Sequence, residues 1–153
     1  MHKMQETVLA YIEKDDSYLM LFRNKKKKDI NKNKWIGVGG HLELGETPDD
    51  ALYREIKEET GLDVISNKKC ALIHFHYDDI YEKMHLFVVD QVSGELLDCD
   101  EGTLKYIPKK EILDLPIWEG DRIFLKKLLS NAPYFELELI YLKDKLISYK
   151  FIK

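Results

Sequence analysis

Four glycines fall within nine residues between Gly37 and Gly45, and a strongly marked helix start follows them directly. Glycine at this density lets backbone turn tightly or pass close to another group. Thr47-Pro48-Asp49-Asp50 is the helix start. Thr47 suits the cap, Pro48 suits the first helical position, and Asp50 stands three residues past the cap. The pattern predicts a helix from Pro48 to about Thr60, with Gly61 as its stop. At about 100° per residue, Glu55, Glu59 and Glu58 fall at about 0°, 40° and 300°, on one face. Leu52, Ile56 and Tyr53 occupy the adjacent sector and are expected to pack inward. The acidic stripe is unfavourable for a bare helix. Like-charge pairs at these spacings cost about 0.2–0.5 kcal/mol each, and Glu58 and Glu59 oppose the dipole of the last turn. A bound divalent cation would offset these costs, and hard oxygen ligands suit Mg²⁺ or Mn²⁺. The plainer alternative is a solvated acidic face.

The rest of the chain reads mostly as strands. Thr7–Glu13 and Ser17–Arg23, with Asp15-Asp16 between them, predict a hairpin or an adjacent strand pair. Asn24–Lys34 is a polar, lysine-rich loop. Lys69–Tyr77, Met84–Val92 and Gly102–Ile107 predict further strands. Pro108 opens a short helical turn, and Trp118–Ser130 has helical spacing at Ile123, Leu125, Leu128 and Leu129. Tyr134–Tyr141 and Lys145–Ile152 predict a closing hairpin around Lys143-Asp144. Strands and helices do not alternate regularly, so an α+β fold or a sandwich around a mixed sheet is expected.

The 153 residues fit one domain, 1–153. Hydrophobic residues make up 44%, enough for one core. Lys+Arg is 24 and Asp+Glu is 28, a net charge of −4. That balance argues against disorder and against a partner such as a nucleic-acid polymer, whose backbone needs a basic excess. Cys70 and Cys99 form neither a disulfide framework nor a paired metal motif, which points to a reducing, cytoplasmic location. No apolar run reaches the roughly 18 residues of a membrane span, and the N-terminus lacks the apolar core of a signal peptide. No membrane partner is therefore expected.

The glycines and the acidic helix combine into one motif. Gly40, five residues, Glu46, seven residues, Arg54-Glu55-Ile56, one residue, Glu58-Glu59, one residue, Gly61-Leu62 occupy nine positions at fixed spacing. This is the Nudix box, spanning residues 40–62, and its strand–loop–helix context agrees with the reading above. The chain resembles the Nudix hydrolases. WIGVGGHLELGETP, DEGTLKYIP and LPIWEGD are similar to segments of the MutT-related bacterial 8-oxo-dGTP diphosphatases. The resemblance implies the Nudix fold, an α/β/α sandwich around a central mixed β-sheet. It implies Mg²⁺-dependent (Mn²⁺ possible) hydrolysis of purine nucleoside triphosphates to monophosphate and pyrophosphate, in nucleotide-pool sanitation and so DNA repair. The expected partner is a small nucleotide, and the protein is expected to be a monomer or homodimer.

The resemblance also assigns roles. Glu55, Glu58 and Glu59 match metal-ligating glutamates, and Gly39 matches a residue whose carbonyl joins them. Arg54 matches the arginine that holds these side chains, while Gly40, Glu46 and Gly61 are structural box positions. Glu101 aligns with an acid outside the box, and Glu55, Glu58 and Glu101 remain candidates for the general base. Trp118 can stack on a purine and Asp121, with Glu119 less closely matched, can read its N–H edge. The alternative for Trp118 is a core anchor. Arg23 is a candidate phosphate contact, and Lys25–Lys28 either steers a polyanion or is a solvated loop. Ile36 stands where some members carry a polar base-reading residue. Tyr77 and Tyr81 keep a dinucleoside polyphosphate substrate open. ADP-ribose hydrolases carry a proline beyond the box that this chain lacks. A non-catalytic nucleotide-binding module is the remaining reading, though such modules lose box glutamates that are all present here.

Overall fold

The computed structural model describes residues 3–153. Nine strands form one sheet: β1 (Lys3–Lys14), β2 (Ser17–Phe22), β3 (Trp35–Ile36), β4 (Val38–His41), β5 (Asp63–Tyr77), β6 (Ile80–Ser93), β7 (Thr103–Pro108), β8 (Phe135–Leu142) and β9 (Lys145–Phe151). Two α-helices, α1 (Pro48–Thr60) and α2 (Glu119–Leu129), and a 3₁₀ turn over Lys109–Asp114 complete the chain. The strand order is β3-β2-β1-β6-β5-β8-β9, with β4 also on β1 and β7 also on β2. β1 runs parallel to β6 and β8 parallel to β5, while the remaining pairs are antiparallel. The sheet is mixed, as expected.

Alternation along the central strands feeds two cores. Val8, Ala10 and Ile12 of β1, with Phe87 and Val89 of β6, pack against Ala51, Leu52 and Ile56 of α1. Tyr11, Met84 and Leu86 face the opposite side, where Phe124, Leu125 and Leu128 of α2 cover them. The result is a helix–sheet–helix sandwich.

One local expectation holds and one changes. The glycine-rich run does pass close to other backbone, as part of β4. A Cβ on Gly39 would lie 1.9 Å from the Val8 carbonyl oxygen, so glycine is what lets β4 lie this close to β1. Tyr53 is 47% exposed and does not join the core. It sits at about 160° on the wheel, just beyond the buried sector, which runs from Ala51 through Glu55 and Glu59 to Leu52 and Ile56. Among the described residues no helix is long and apolar enough to cross a membrane.

Candidate active site

α1 is held at both ends. Thr47 and Asp50 form a reciprocal capping box, each side chain accepting the other's backbone N–H at 3.1 Å. Gly61 closes the helix in the left-handed conformation at φ 80°, its N–H donating to the Lys57 carbonyl. The sheet-facing sector passes directly through Glu55 and Glu59. Their carboxylates are therefore pressed against β4 instead of standing in solvent, which removes the solvated-face alternative for these two.

Glycine makes the fit possible here too. A Cβ on Gly40 would lie 2.7 Å from the Glu55 carboxyl. Gly39 donates its amide to Glu59 Oε2 at 3.0 Å. Burial raises Glu55 above the usual carboxylate range, against the pull of Arg54. Burial, then the adjacent Glu101 carboxyl, raises Glu59 well above it. Glu59, Glu101 and the thiol of Cys99 present ligand atoms that all lie within 4.8 Å of one another. Carboxylates this close repel one another when ionised, a cost that a bound cation would offset. Two hard oxygen donors with Glu55 beside them fit a divalent ion of the Mg²⁺ or Mn²⁺ kind.

Arg54 organises the outer side of this cluster. Its Nε and Nη2 donate to the two oxygens of Glu46 at 2.7 and 2.8 Å, a bidentate pair. Nη1 donates to Glu55 at 2.7 Å and to Glu58 at 3.3 Å, and Nη2 also reaches the His41 carbonyl at 3.0 Å. Hydrogen bonds from Arg54 and then from the Glu43 amide hold Glu46 down at about 2. Glu58 differs from its neighbours: it lies on the solvent edge of α1, with its side chain 59% exposed against 15% for Glu55.

The basic loop closes over the cluster. Arg23 lies 3.3 Å and Lys26 3.6 Å from Glu101, and Lys25 donates to the Cys99 carbonyl at 2.8 Å. Asp29 anchors Arg23 at 2.7 Å. Lys25 and Lys26 are thus tied to the segment that carries Glu101.

A cavity of about 760 Å³ runs from the glutamates to the start of α2. Arg23, Gly39, Gly40, Arg54, Glu55, Glu58, Glu59 and Glu101 line it, and so do Trp118 and Asp121. Trp118 is half-buried, and its indole N–H donates to Asn31 Oδ1 at 2.7 Å. The Lys34 ammonium lies 4.7 Å from the Trp118 ring centroid. Asp121 is 5% exposed, and burial, then the Glu82 carboxylate, push it up to about 7. Glu119 is exposed and is not part of the cavity wall, because it occupies the outward side of the first turn of α2.

Three residues, Cys99, Glu82 and Tyr141, escape sequence reading. Cys99 enters the acidic cluster from the irregular segment before β7. Glu82 and Tyr77 line the cavity from β6 and β5. Tyr141 of β8 accepts the Gly120 N–H at 2.7 Å and meets the Trp118 ring edge-on at 5.9 Å. A Cβ on Gly120 would lie 2.7 Å from this hydroxyl, so glycine there is the only signal the sequence carries of the contact.

A mixed sheet between two helices, with a glutamate stripe folded over a glycine strand, is the build of a phosphoanhydride hydrolase. A family model described as NUDIX domain matches residues 3–128, and the chain belongs to that family. It is similar to the oxidized purine nucleoside triphosphate hydrolase of Mus musculus, 29% identical over 126 residues, 81% of each chain. It is also similar to the Nudix hydrolase YvcI of Bacillus subtilis, 26% identical, covering 96% of this chain and 94% of that one. Among solved structures, the MutT protein of Bacillus halodurans superposes with a TM-score of 0.86 at 25% identity over 97% of both chains. The protein is a Nudix hydrolase.

Proposed function

We propose that this enzyme hydrolyses purine nucleoside triphosphates, oxidised ones such as 8-oxo-dGTP among them, to the monophosphate and pyrophosphate. It would do so with Mg²⁺, in the cytoplasmic nucleotide pool. One observation carries this reading. The glutamate cluster and the Trp118–Asp121 corner open into a single cavity of about 760 Å³, within the size range of small-molecule sites. Phosphates and base would each meet chemically suited groups within it. The mouse relative, named for oxidised purine triphosphates, points the same way.

Glu55, Glu58, Glu59 and Glu101, with the Gly39 carbonyl, would hold the cation. Bound there, it supplies charge neutralisation and a water of lowered pKa. Arg54 fixes the carboxylates in place, so their geometry costs nothing at the moment of reaction. Glu55 or Glu58, each held by Arg54, or else Glu101, takes the proton from the attacking water. Arg23, already turned toward Glu101, meets the phosphates. Trp118 offers its face to the base, with Lys34 giving way, and Asp121 accepts or donates at the base edge.

The test is a substrate panel with Mg²⁺, scored by kcat/KM, covering 8-oxo-dGTP, the ordinary dNTPs, ADP-ribose and diadenosine polyphosphates. The expected result is pyrophosphate release, highest for a purine triphosphate. Preferential cleavage of ADP-ribose or a dinucleoside polyphosphate would overturn the substrate assignment. Glu58→Gln should lower turnover by at least about 100-fold while the protein stays folded. Unchanged turnover would remove Glu58 from the machinery.

A further inference from the structure

Beyond the glutamate cluster, two further carboxyl groups line the cavity, those of Glu82 and Asp121. Glu82 reaches it from β6, where its register partners are Gln5 of β1 and Phe75 of β5. Its carboxylate is fixed in two directions. The buried Thr7 hydroxyl donates to Oε2 at 2.9 Å, and the Tyr77 hydroxyl donates to Oε1 at 3.1 Å. A carboxylate offers about four acceptor positions, so these two bonds leave others free, and Glu82 lines the cavity. Asp121 lines the same cavity, buried, with Glu82 among the charges that act on it and Lys34 the cation opposing them. Aromatic side chains line it too: Phe75, Tyr77 and Trp118.

We propose that Glu82 is a specificity-determining residue, selecting purines that present a ring N–H beside an exocyclic amine. The proposal rests on the purine nucleotide reading of the cavity and adds a residue and a rule to it. Two adjacent N–H donors match the paired oxygens of a carboxylate held in a fixed orientation. A base lacking the amine leaves a half-buried acceptor unpaired, which is where polar sites discriminate most strongly. A base that turns a carbonyl toward Glu82 sets acceptor against acceptor. Thr7 and Tyr77 give the selection its sharpness, because they stop the carboxylate from swinging to suit another edge.

The comparison that isolates this is dGTP against dITP, which differ only in the exocyclic amine. Two readouts are taken for the wild type, Glu82→Gln and Tyr77→Phe: kcat/KM for the triphosphates with Mg²⁺, and calorimetric binding of dGMP and dIMP without metal. The wild type should prefer the amine-bearing member by at least about tenfold in both. Glu82→Gln should bring both ratios close to one. Tyr77→Phe, which keeps the carboxylate and removes one of its two anchors, should lower them part-way. An equal preference in wild type and Glu82→Gln overturns the proposal, as does a wild-type ratio near one. Preference in binding without any turnover would support Glu82 and overturn the hydrolytic reading instead. Turnover with an unaltered ratio does the reverse. Thermal melting of both variants confirms that the ratios are read on folded protein.

Discussion

At the scale of single residues, the site is a set of charges that constrain one another. Arg54 touches acceptors on four residues from three stretches of chain, so its shape matters as much as its charge. Arg54→Lys keeps the charge and loses the fork. The half-saturating Mg²⁺ or Mn²⁺ concentration should rise about 10–100-fold, read by metal titration of turnover. Asp121 gives a pH signature. Its folded pKa of about 7 lies above its ordinary value, so the native state holds a proton that the unfolded chain has released. The cost of burying the group is absent below about pH 4 and grows as pH rises toward 7, at no more than about 1.4 kcal/mol per unit. Asp121→Asn should therefore leave stability unchanged near pH 4 and raise the melting temperature above pH 7. Equal shifts at both ends would contradict the assignment. Glu55, Glu58, Glu59 and Arg54 were legible because helical spacing puts them together within one segment. Glu82 was not, since the Thr7 hydroxyl that orients it lies 75 residues away.

At the scale of elements, α1 works because its ends are fixed and its inner face meets bare backbone. Thr47→Ala should cost about 1 kcal/mol in denaturant unfolding with the α1 carboxylates undisturbed. Gly40→Ala is the opposite kind of change. A methyl group 2.7 Å from the Glu55 carboxyl pushes that side chain off its place, so turnover should fall far more than stability. A loss of stability without loss of turnover would show that Glu55 tolerates displacement. The helix and both of its caps follow from local sequence rules, and the structure has them as expected. The glycine run was read as backbone that turns tightly or passes close to another group, and what no local pattern records is the partner of that approach, Val8 of β1.

At the scale of the whole molecule, residues beyond the matched 3–128 segment are part of the fold and of the cavity. Phe135, Leu137, Leu139 and Tyr141 of β8 are buried in the α2-side core. At about 1.5–3 kcal/mol for each buried side chain, they rival the net stability of an ordinary domain. A chain truncated after Ala132 should fail to unfold cooperatively in a thermal scan. The hairpin was visible in the sequence, while its position next to β5 and against α2 was not, because parallel pairing leaves no short-range trace. The same pairing has a temporal consequence. β1, made before the other eight strands described, takes its long parallel neighbour from Ile80 onward, and β5 waits for β8. Chain closure over such separations is slow, so a nascent chain holds α1 and the β1–β4 pair it packs on before β6 emerges to complete the sheet beneath them.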